Sequence, residues 1–319
     1  MATAPDRVVS KDFLRVADLT PARLAHLLDL AAAMEDEPLG WVESLRGRSV
    51  ACFFAKPSTR TRVSFAAAAA RLGLSPIVLR PDELQLGRGE PIADTARALS
   101  AYCDAIVIRT FAQRDIEETA AAASVPVINA LSDAHHPCQA LADVLTVREW
   151  FGRLEGVRLA FVGDGNNVAH SLLEAGALTG MEIAVASPPG YAPSSQVVAD
   201  ARALARTTGA AIEVVEDPRD AVRGAHSVYT DVWVSMGDDA ERDERLRDLR
   251  PYEVNEELLA LARPDAIFMH CLPAHRGEEV AAAVIDGARS VVWEQAANRE
   301  STAQALLYTL ISGDWGAAA

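Results

Sequence analysis

Three hydroxyl side chains and two arginines fall within five consecutive residues, from Ser58 to Arg62. They follow an apolar run, Val50 to Phe54, and precede an alanine-rich stretch, so we predict a buried strand, a turn and a helix. The first N–H groups of a helix lack intrahelical partners and carry partial positive charge, and guanidinium groups bind phosphate through paired hydrogen bonds. The pattern therefore favours an oxyanion site, with phosphate as the expected anion, over a capped helix with two solvated arginines.

Other side chains that could do chemistry follow predicted strands elsewhere in the chain. Arg109 ends one strand, and Asp231 follows a later one, where a carboxylate suits a cationic amine. His135 and His136 lie between another strand and a helix. Either imidazole could donate a hydrogen bond to a carbonyl oxygen on which charge develops, and the sequence leaves the choice between them open.

A thiol also follows a predicted strand, at Cys271. Its neighbour His270 points to the opposite face of an extended chain, so the two are not a nucleophile–base pair. A zinc site is the alternative interpretation of the histidines and cysteines in these two segments. The possible ligands are His135, His136, Cys138, His270, Cys271 and His275. Their spacings match no common zinc pattern, so we predict no metal.

A glycine-rich turn, from Gly163 to Asn167, resembles the start of a dinucleotide fingerprint. Val168 occupies the place of the third glycine, and Ser187 stands where an acidic residue would end the next strand. Both departures disfavour a nucleotide-dependent oxidoreductase. The remaining interpretations are a tight strand–helix turn and a polar helix start at which Asn167 offers its amide to a substrate.

Composition limits the remaining classes of function. The chain has 319 residues, half of them hydrophobic, and a formal net charge of −15, which argues against nucleic-acid binding but not against a small anionic substrate. It contains no apolar run long enough for a membrane helix, and its first residues lack the apolar core of a signal peptide. Four dispersed cysteines without a C-x-x-C pair indicate reduced thiols. We therefore expect a cytoplasmic protein.

Strand and helix signals alternate along the whole chain, which predicts an α/β fold with two doubly wound parallel sheets and a site in the cleft between them. The expected first domain covers residues 1–148, and the second covers residues 149–298. A final helix beginning at Arg299 is expected to pack back on the first domain. We also predict a last strand at Ser290–Trp293 and an acidic surface loop at Asp238–Asp248.

Ten motifs spread over nearly the whole chain resemble those of the aspartate and ornithine carbamoyltransferases. They are Lys56–Phe65, Gln85–Glu90, Asp94–Arg97, Arg109–Thr110, His136–Gln139, Gly163–Asn167, Asp231, Ser235–Gly237, His270–Pro273 and Asn298–Arg299. The motifs at Ser235–Gly237 and His270–Pro273 are typical of the ornithine branch. The resemblance implies transfer of a carbamoyl group from carbamoyl phosphate to the δ-amine of L-ornithine, which gives L-citrulline and phosphate in arginine biosynthesis.

The resemblance also implies roles for individual residues. Catalysis would involve Arg60, Arg109, His136 and Cys271. Carbamoyl phosphate would be bound by Ser58, Thr59, Arg60, Thr61, Gln85, Arg109, His136, Gln139, Cys271, Leu272 and Arg299. Ornithine would be bound by Asn167, Asp231, Ser235 and Met236. Gln85 would reach in from a neighbouring subunit, since members of the family work as homotrimers without a metal or cofactor.

Three departures from the family pattern leave alternatives open. Ala55 and Ala66 replace acidic residues beside the predicted phosphate site, and residues 297–304 differ from the usual start of the final helix. One alternative is a carbamoyltransferase that uses another amine, and another is a non-catalytic homologue that binds the anion without turnover.

Overall fold

Two parallel sheets form the framework of the computed structural model, which describes residues 10–56, 58–85, 89–235 and 239–318. The predicted site residue Met236 lies outside the described residues. The first sheet has the strand order β2-β1-β3-β4. Its strands are β1 (Ser49–Phe54), β2 (Ser75–Leu79), β3 (Ala105–Arg109) and β4 (Val127–Leu131), and the helices connected to them are α1 (Pro21–Asp36), α2 (Thr59–Arg71), α3 (Ile92–Ser100) and α4 (Gln113–Ala122).

The second sheet has the strand order β7-β6-β5-β8-β9. Its strands are β5 (Arg158–Val162), β6 (Glu182–Ala186), β7 (Ala211–Val215), β8 (Ser227–Thr230) and β9 (Ile267–His270), and its helices are α6 (Asn167–Thr179), α7 (Ser195–Ala205), α8 (Pro218–Val222), α9 (Arg242–Leu249), α10 (Glu256–Leu259) and α11 (Ala282–Ile285). Every pairing within the two sheets is parallel. The predicted fold class is therefore confirmed.

Two long helices join the sheets. Helix α5 (Pro137–Phe151) runs across the predicted domain boundary, and α12 (Val292–Ser312) packs against α1, α2 and α5. The boundary at residues 148 and 149 stays a prediction. Along the described residues, no helix is both long and apolar enough to cross a bilayer.

Two predictions about the C-terminal part of the chain are wrong. Ser290 makes a single bridge with Phe268, and α12 begins two residues later, so there is no strand at Ser290–Trp293. Helix α12 also begins at Val292 rather than at Arg299, which places Arg299 inside the helix. The apolar residues at 291 and 292 are buried against the second sheet, and this packing starts the helix before the motif that the sequence pattern emphasises.

The stretch predicted as an acidic surface loop contains helix α9. Its charged residues alternate in sign, which is compatible with a solvated helix face. Leu249 is fully buried at its end, and Arg245 forms an ion pair with Asp164 and donates to the carbonyl oxygen of Trp233 at 2.6 Å. The segment has no apolar stripe that would predict a helix from the sequence. These tertiary contacts hold it in place instead.

Candidate active site

A cavity of about 530 Å³ lies between the carboxyl ends of the two sheets. It is lined by Lys56, Ser58, Thr59, Arg60, Thr61, Arg109, Leu131, His136, Asn167, Val168, Asp231, Val232, Val234, Ser235, Arg242, Cys271, Leu272, Pro273, His275 and Arg299. Parallel strands bring their carboxyl ends to one edge of a sheet, and here the two edges face each other. The cavity therefore joins residues that are far apart in sequence.

One end of the cavity is built by the start of helix α2. Ser58 caps this helix, and its hydroxyl accepts a hydrogen bond from the N–H of Thr61 at 3.3 Å. Arg60 is exposed and lines the cavity, whereas Arg62 is absent from its lining and lies over the ring of Phe54, 5.5 Å from the centroid. The five-residue pattern therefore supplies one arginine to the site, because the next arginine on the helix faces another direction.

Two buried arginines add to the positive charge at this end. Arg109 ends β3, and Arg299 projects from α12. Burial lowers the pKa of Arg109 to about 10, and the neighbouring charges of Arg299 and Arg60 act in the same direction. Burial is also the main cause of the lowered pKa of Arg299. An anion bound here would relieve the mutual repulsion of these guanidinium groups.

The structure shows which of the two adjacent histidines faces the cavity, a choice that the sequence left open. His136 lines the cavity, and its backbone N–H donates to the hydroxyl of Ser171 at 2.8 Å. His135 is absent from the lining and lies 3.9 Å from the buried carboxylate of Glu174. His136 is therefore the histidine that can reach a substrate in the cavity.

His136 is held in the neutral state. Burial lowers its pKa well below the ordinary value, and Arg299, Arg109 and Arg60 lower it further. Its Nδ1 has no hydrogen-bond partner among the described residues. A neutral imidazole keeps one N–H donor and one acceptor nitrogen, so His136 can donate to an oxygen that gains negative charge.

Gln139 lies beneath the cavity wall and does not line it. Its side-chain carbonyl accepts a hydrogen bond from Arg299, and its amide donates to Asp143 at 2.8 Å. Arg299 also reaches the hydroxyl of Thr61 at 3.4 Å. In this arrangement Gln139 orients Arg299, and the direct contact with carbamoyl phosphate that the resemblance implies for Gln139 stays a prediction.

The other end of the cavity carries a carboxylate and a thiol. Asp231 accepts hydrogen bonds from the thiol of Cys271 at 2.9 Å and from the amide of Asn166 at 2.8 Å. Asn167 and Ser235 line the same end, and the amide of Asn167 donates to the carbonyl oxygen of Ser132 at 2.6 Å. Three of the four predicted ornithine-binding residues therefore lie together, and the fourth, Met236, is outside the described residues.

Cys271 is a protonated thiol at neutral pH. Burial raises its pKa well above the ordinary value, and the nearby carboxylate of Asp231 raises it further. The next residue, Leu272, has a φ of +58°, a conformation that is costly for a branched side chain. Its N–H donates to Nδ1 of His270 at 2.8 Å, which fixes this backbone beside the cavity.

Potential metal ligands also come close together here, although their sequence spacing matched no metal pattern. Within the described part of the chain, two groups have ligand atoms within 4.8 Å of one another: Asp231, His270 and Cys271, and His275, Glu278 and Glu279. Asp231 and Cys271 already bond each other, and His270 contacts both Leu272 and Glu279. The expectation of a metal-free protein stays a prediction.

Three charged or titratable residues of the cavity wall were given no substrate-binding role from the sequence. Lys56 lies over the ring of Phe111, with Nζ 4.2 Å from the centroid, and its position two residues before Ser58 was a usable signal. Arg242 pairs with Glu278 at 2.5 Å, and His275 lies nearby on the wall. Arg242 was missed because its segment was interpreted as a surface loop.

Gln85 lies outside this cavity and is exposed. Its predicted role requires a neighbouring subunit, so its position in a single chain does not test that role. That role stays a prediction.

The chain matches two family models over most of its length. Residues 11–149 match the carbamoyl-phosphate-binding domain of aspartate/ornithine carbamoyltransferases, and residues 155–310 match the aspartate/ornithine-binding domain. The chain belongs to the aspartate/ornithine carbamoyltransferase family.

Similar proteins within this family carry the name of the ornithine branch. An ornithine carbamoyltransferase from Parafrankia is 55% identical, with 95% of this chain and 97% of the relative covered. One from Methanothermobacter thermautotrophicus is 54% identical, with 94% and 99% covered. The solved structure of the ornithine carbamoyltransferase from Pyrococcus furiosus has a TM-score of 0.92 at 47% identity and covers 96% of this chain and 99% of its own. The expected family is therefore confirmed.

Proposed function

We propose that this chain transfers the carbamoyl group of carbamoyl phosphate to the δ-amine of L-ornithine, giving L-citrulline and phosphate. The observation that carries the proposal is a single cavity with a guanidinium cluster at one end and the Asp231–Cys271 pair at the other. The first end suits a phosphate, and the second suits an amine. Relatives at 54 and 55% identity over almost the full length bear the name of this activity.

Phosphate binding is assigned to the start of helix α2. The N–H groups of Thr59 and Arg60 and the hydroxyls of Ser58, Thr59 and Thr61 would surround the anion, while the N–H of Thr61 already donates to Ser58. Arg60 and Arg299 supply full charges. These groups bind the phosphate more tightly as charge builds on it during departure, which lowers the barrier to transfer.

The carbamoyl carbonyl is assigned to Arg109 and His136. When the amine attacks, the carbonyl oxygen gains negative charge, and a buried guanidinium and a neutral imidazole can both donate hydrogen bonds to it. The neutral δ-amine forms the new C–N bond, the C–O bond to phosphate breaks, and one amine proton leaves with the departing phosphate. Asp231 and Cys271 orient the amine, and holding both substrates in one cavity supplies proximity.

A matched pair of arginine variants tests the phosphate assignment. Arg60→Ala removes a cavity cation, and Arg62→Ala removes the neighbouring guanidinium that lies over Phe54 instead. We expect Arg60→Ala to weaken carbamoyl-phosphate binding by at least about tenfold, since a charge-assisted hydrogen bond contributes about 1.5 to 3 kcal/mol. Arg62→Ala should bind carbamoyl phosphate as the parent protein does.

The decisive measurement is citrulline formation beside titration calorimetry with carbamoyl phosphate. Unchanged carbamoyl-phosphate affinity in Arg60→Ala contradicts the phosphate assignment. Product from another amine, but none from ornithine, contradicts the ornithine assignment and selects a carbamoyltransferase with a different acceptor. Carbamoyl-phosphate binding without turnover of any amine selects a non-catalytic homologue.

We also propose a homotrimer that works in the cytoplasm in arginine biosynthesis. In such a trimer Gln85 reaches the cavity of a neighbouring subunit. Its exposed position outside the cavity of its own chain supports that role. Light scattering of the purified protein measures the number of subunits.

A further inference from the structure

Helix α6 presents a row of polar side chains to the turn that carries His136. The members of this row are Asn167, His170, Ser171 and Glu174. Their spacing of three or four residues places them on one face of the helix. They contact the turn at residues 132–136, which connects β4 of the first sheet to α5. The row therefore lies where the two halves of the cavity meet.

The row holds the turn through its backbone. The amide of Asn167 donates to the carbonyl oxygen of Ser132 at 2.6 Å, and the hydroxyl of Ser171 accepts from the N–H of His136 at 2.8 Å. Ser171 donates its own proton to the carbonyl oxygen of Asn167 at 3.1 Å, so its oxygen is left to accept from His136. One buried hydroxyl thus connects the start of α6 with the backbone of His136.

His170 contacts the middle of the turn. Burial lowers the pKa of His170, so its ring is neutral near pH 7. Its Nε2 accepts a hydrogen bond from the N–H of Ser194 at 2.9 Å, which places the ring proton on Nδ1. Nδ1 donates to the carbonyl oxygen of Ala134 at 2.8 Å. Helix α6 therefore holds the turn at its first, third and last residues.

Different contacts fix the shape of the turn and its position. Inside the turn, the N–H of Ser132 donates to the carbonyl oxygen of His135 at 2.9 Å, and the Ser132 hydroxyl accepts from the N–H of His135 at 3.0 Å. The contacts from α6 come from the second sheet, so they set where the turn lies in the cavity. Nδ1 of His136 has no hydrogen-bond partner among the described residues, so no bond to this nitrogen directs the ring.

We propose that Ser171 and His170 are positioning residues for the transfer: they hold the turn at residues 132–136 so that the His136 imidazole meets the carbonyl oxygen of carbamoyl phosphate. The role of His136 in transfer rests on the proposed function, whereas the anchoring of the turn does not. A displacement of about 1 Å at a reacting group can slow an enzyme about a hundredfold, so a loss of anchoring should be visible in kcat.

A double-mutant cycle with His136 tests the proposal. Ser171→Ala removes the hydroxyl that accepts from the His136 N–H. We expect kcat to fall about tenfold or more in the parent background, but less than about threefold further in His136→Ala, because no imidazole remains there to be misplaced. Equal losses in the two backgrounds would overturn the proposal, since a general loss of structure lowers kcat with or without the imidazole.

Thr179→Val is the matched control on the same helix. The Thr179 hydroxyl donates to the carbonyl oxygen of Ala175 at 2.8 Å, as that of Ser171 does to Asn167, but Thr179 lies at the other end of α6 and does not line the cavity. This variant should keep the parent kcat. A loss equal to that of Ser171→Ala would overturn the role of the contact with His136.

A pair of His170 variants tests the contact with Ala134, and it still decides the outcome if Ser171→Ala does not fold. His170→Ala removes the ring, whereas His170→Asn keeps an N–H near the position of Nδ1. We expect His170→Ala to lower kcat about fivefold, the equivalent of one hydrogen bond, and His170→Asn to recover most of that loss. Equal kcat values in the two variants would contradict the positioning role of His170.

Hydrogen exchange followed by mass spectrometry measures the anchoring without any turnover. In Ser171→Ala we expect the amides of residues 132–136 to exchange at least about fivefold faster than in the parent, while those of β4 keep their parent rates. Unchanged exchange in the turn would overturn the anchoring. Faster exchange there in a protein that carbamoylates no amine would leave the anchoring standing and would remove the proposed function instead.

Discussion

At the level of single residues, burial decides which protonation states the cavity holds. His136 is neutral although its ordinary pKa lies near physiological pH, because it is buried beside three arginines. Cys271 is a thiol although it neighbours guanidinium groups, because burial and carboxylates outweigh them. The site therefore offers neutral hydrogen-bond donors at the points where charge would develop during transfer, which avoids a permanent positive charge on the imidazole.

Removal of the thiol tests its role in orienting the amine. Cys271→Ala removes the 2.9 Å hydrogen bond to Oδ1 of Asp231, so the carboxylate is held only through Oδ2, by the amide of Asn166. We expect kcat with ornithine to fall at least about tenfold while the Kd of carbamoyl phosphate stays within about twofold. Cys103→Ala, at a buried thiol outside the cavity, is the control. Unaltered kinetics in Cys271→Ala would remove this residue from the site.

His135 gives a prediction about pH and stability. Its pKa is lowered from 6.5 to about 3, first by burial and then by Arg15 and His170. Below pH 6.5 the unfolded chain therefore binds a proton that the folded chain does not, so folding stability falls as the pH falls from 6.5 towards 3. Between about pH 7.5 and about pH 5.5 this linkage costs about 1.4 kcal/mol.

The variant His135→Gln lacks this proton and should lose about 1.4 kcal/mol less than the parent over the same interval. Urea denaturation of both proteins at the two pH values measures the difference, and the other titrating groups cancel in the comparison. A stability gap that is independent of pH would show that His135 is not held neutral in the folded state.

At the level of elements, the turns that follow the strands place polar side chains in the cavity. Glycines end the helices that support these turns. Helix α2 carries the proposed phosphate-binding residues at its start, and Gly73 follows its end with a φ of +70°. A Cβ at this position would lie 2.2 Å from the carbonyl oxygen of Val42. Gly73 therefore meets two requirements, the left-handed conformation and a close backbone contact.

Gly152 provides a matched comparison, because it has the same φ of +70° after helix α5, but a Cβ added there would meet no described atom within 4 Å. Gly152→Ala should cost about 1 kcal/mol of folding free energy for the left-handed conformation alone. Gly73→Ala should cost about 3 kcal/mol, since the overlap must also be relieved. Denaturant unfolding measures both values, and equal costs would contradict the close contact.

At the level of the whole molecule, the two sheets present their carboxyl ends to each other, and buried hydrogen bonds cross between them. Asp143 on α5 accepts from Tyr229 on β8 and from Gln295 on α12. The N-terminal segment also reaches the second sheet, because the N–H of Ala17 donates to the carboxylate of Glu174 on α6 at 3.0 Å. These links hold both halves of the cavity in one arrangement.

A subunit-mixing experiment tests the proposed sharing of sites between subunits. Gln85→Ala and Arg109→Ala should each be nearly inactive alone. An equal mixture of the two variants is unfolded and refolded. If Gln85 acts in a neighbouring site, activity should return, because about a quarter of the sites in randomly mixed trimers then have both an intact Arg109 and an intact Gln85 from the neighbour. Activity that stays at the level of the separate variants would place Gln85 outside any shared site.

Several elements were predictable because their signals are local. The buried strand that ends at Phe54, the strand that ends at Arg109 and the helix start at Asn167 all agree with the sequence patterns. Buried parallel strands are short apolar runs, and helix starts carry hydroxyl or amide caps, so both can be recognised without knowing their neighbours.

The sequence by itself therefore determined the fold class, the family, the hydroxyl-rich helix start at Ser58 and most of the residues that line the cavity. Tertiary structure alone decided that His136 and not His135 faces the cavity, that Arg62 turns to Phe54, and that Gln139 holds Arg299 from below. It also decided that α12 begins at Val292 and that α9 is a helix. The reason is physical: caps and strand periodicity act between neighbours in sequence, whereas side-chain direction and burial depend on packing partners that lie far away in the chain.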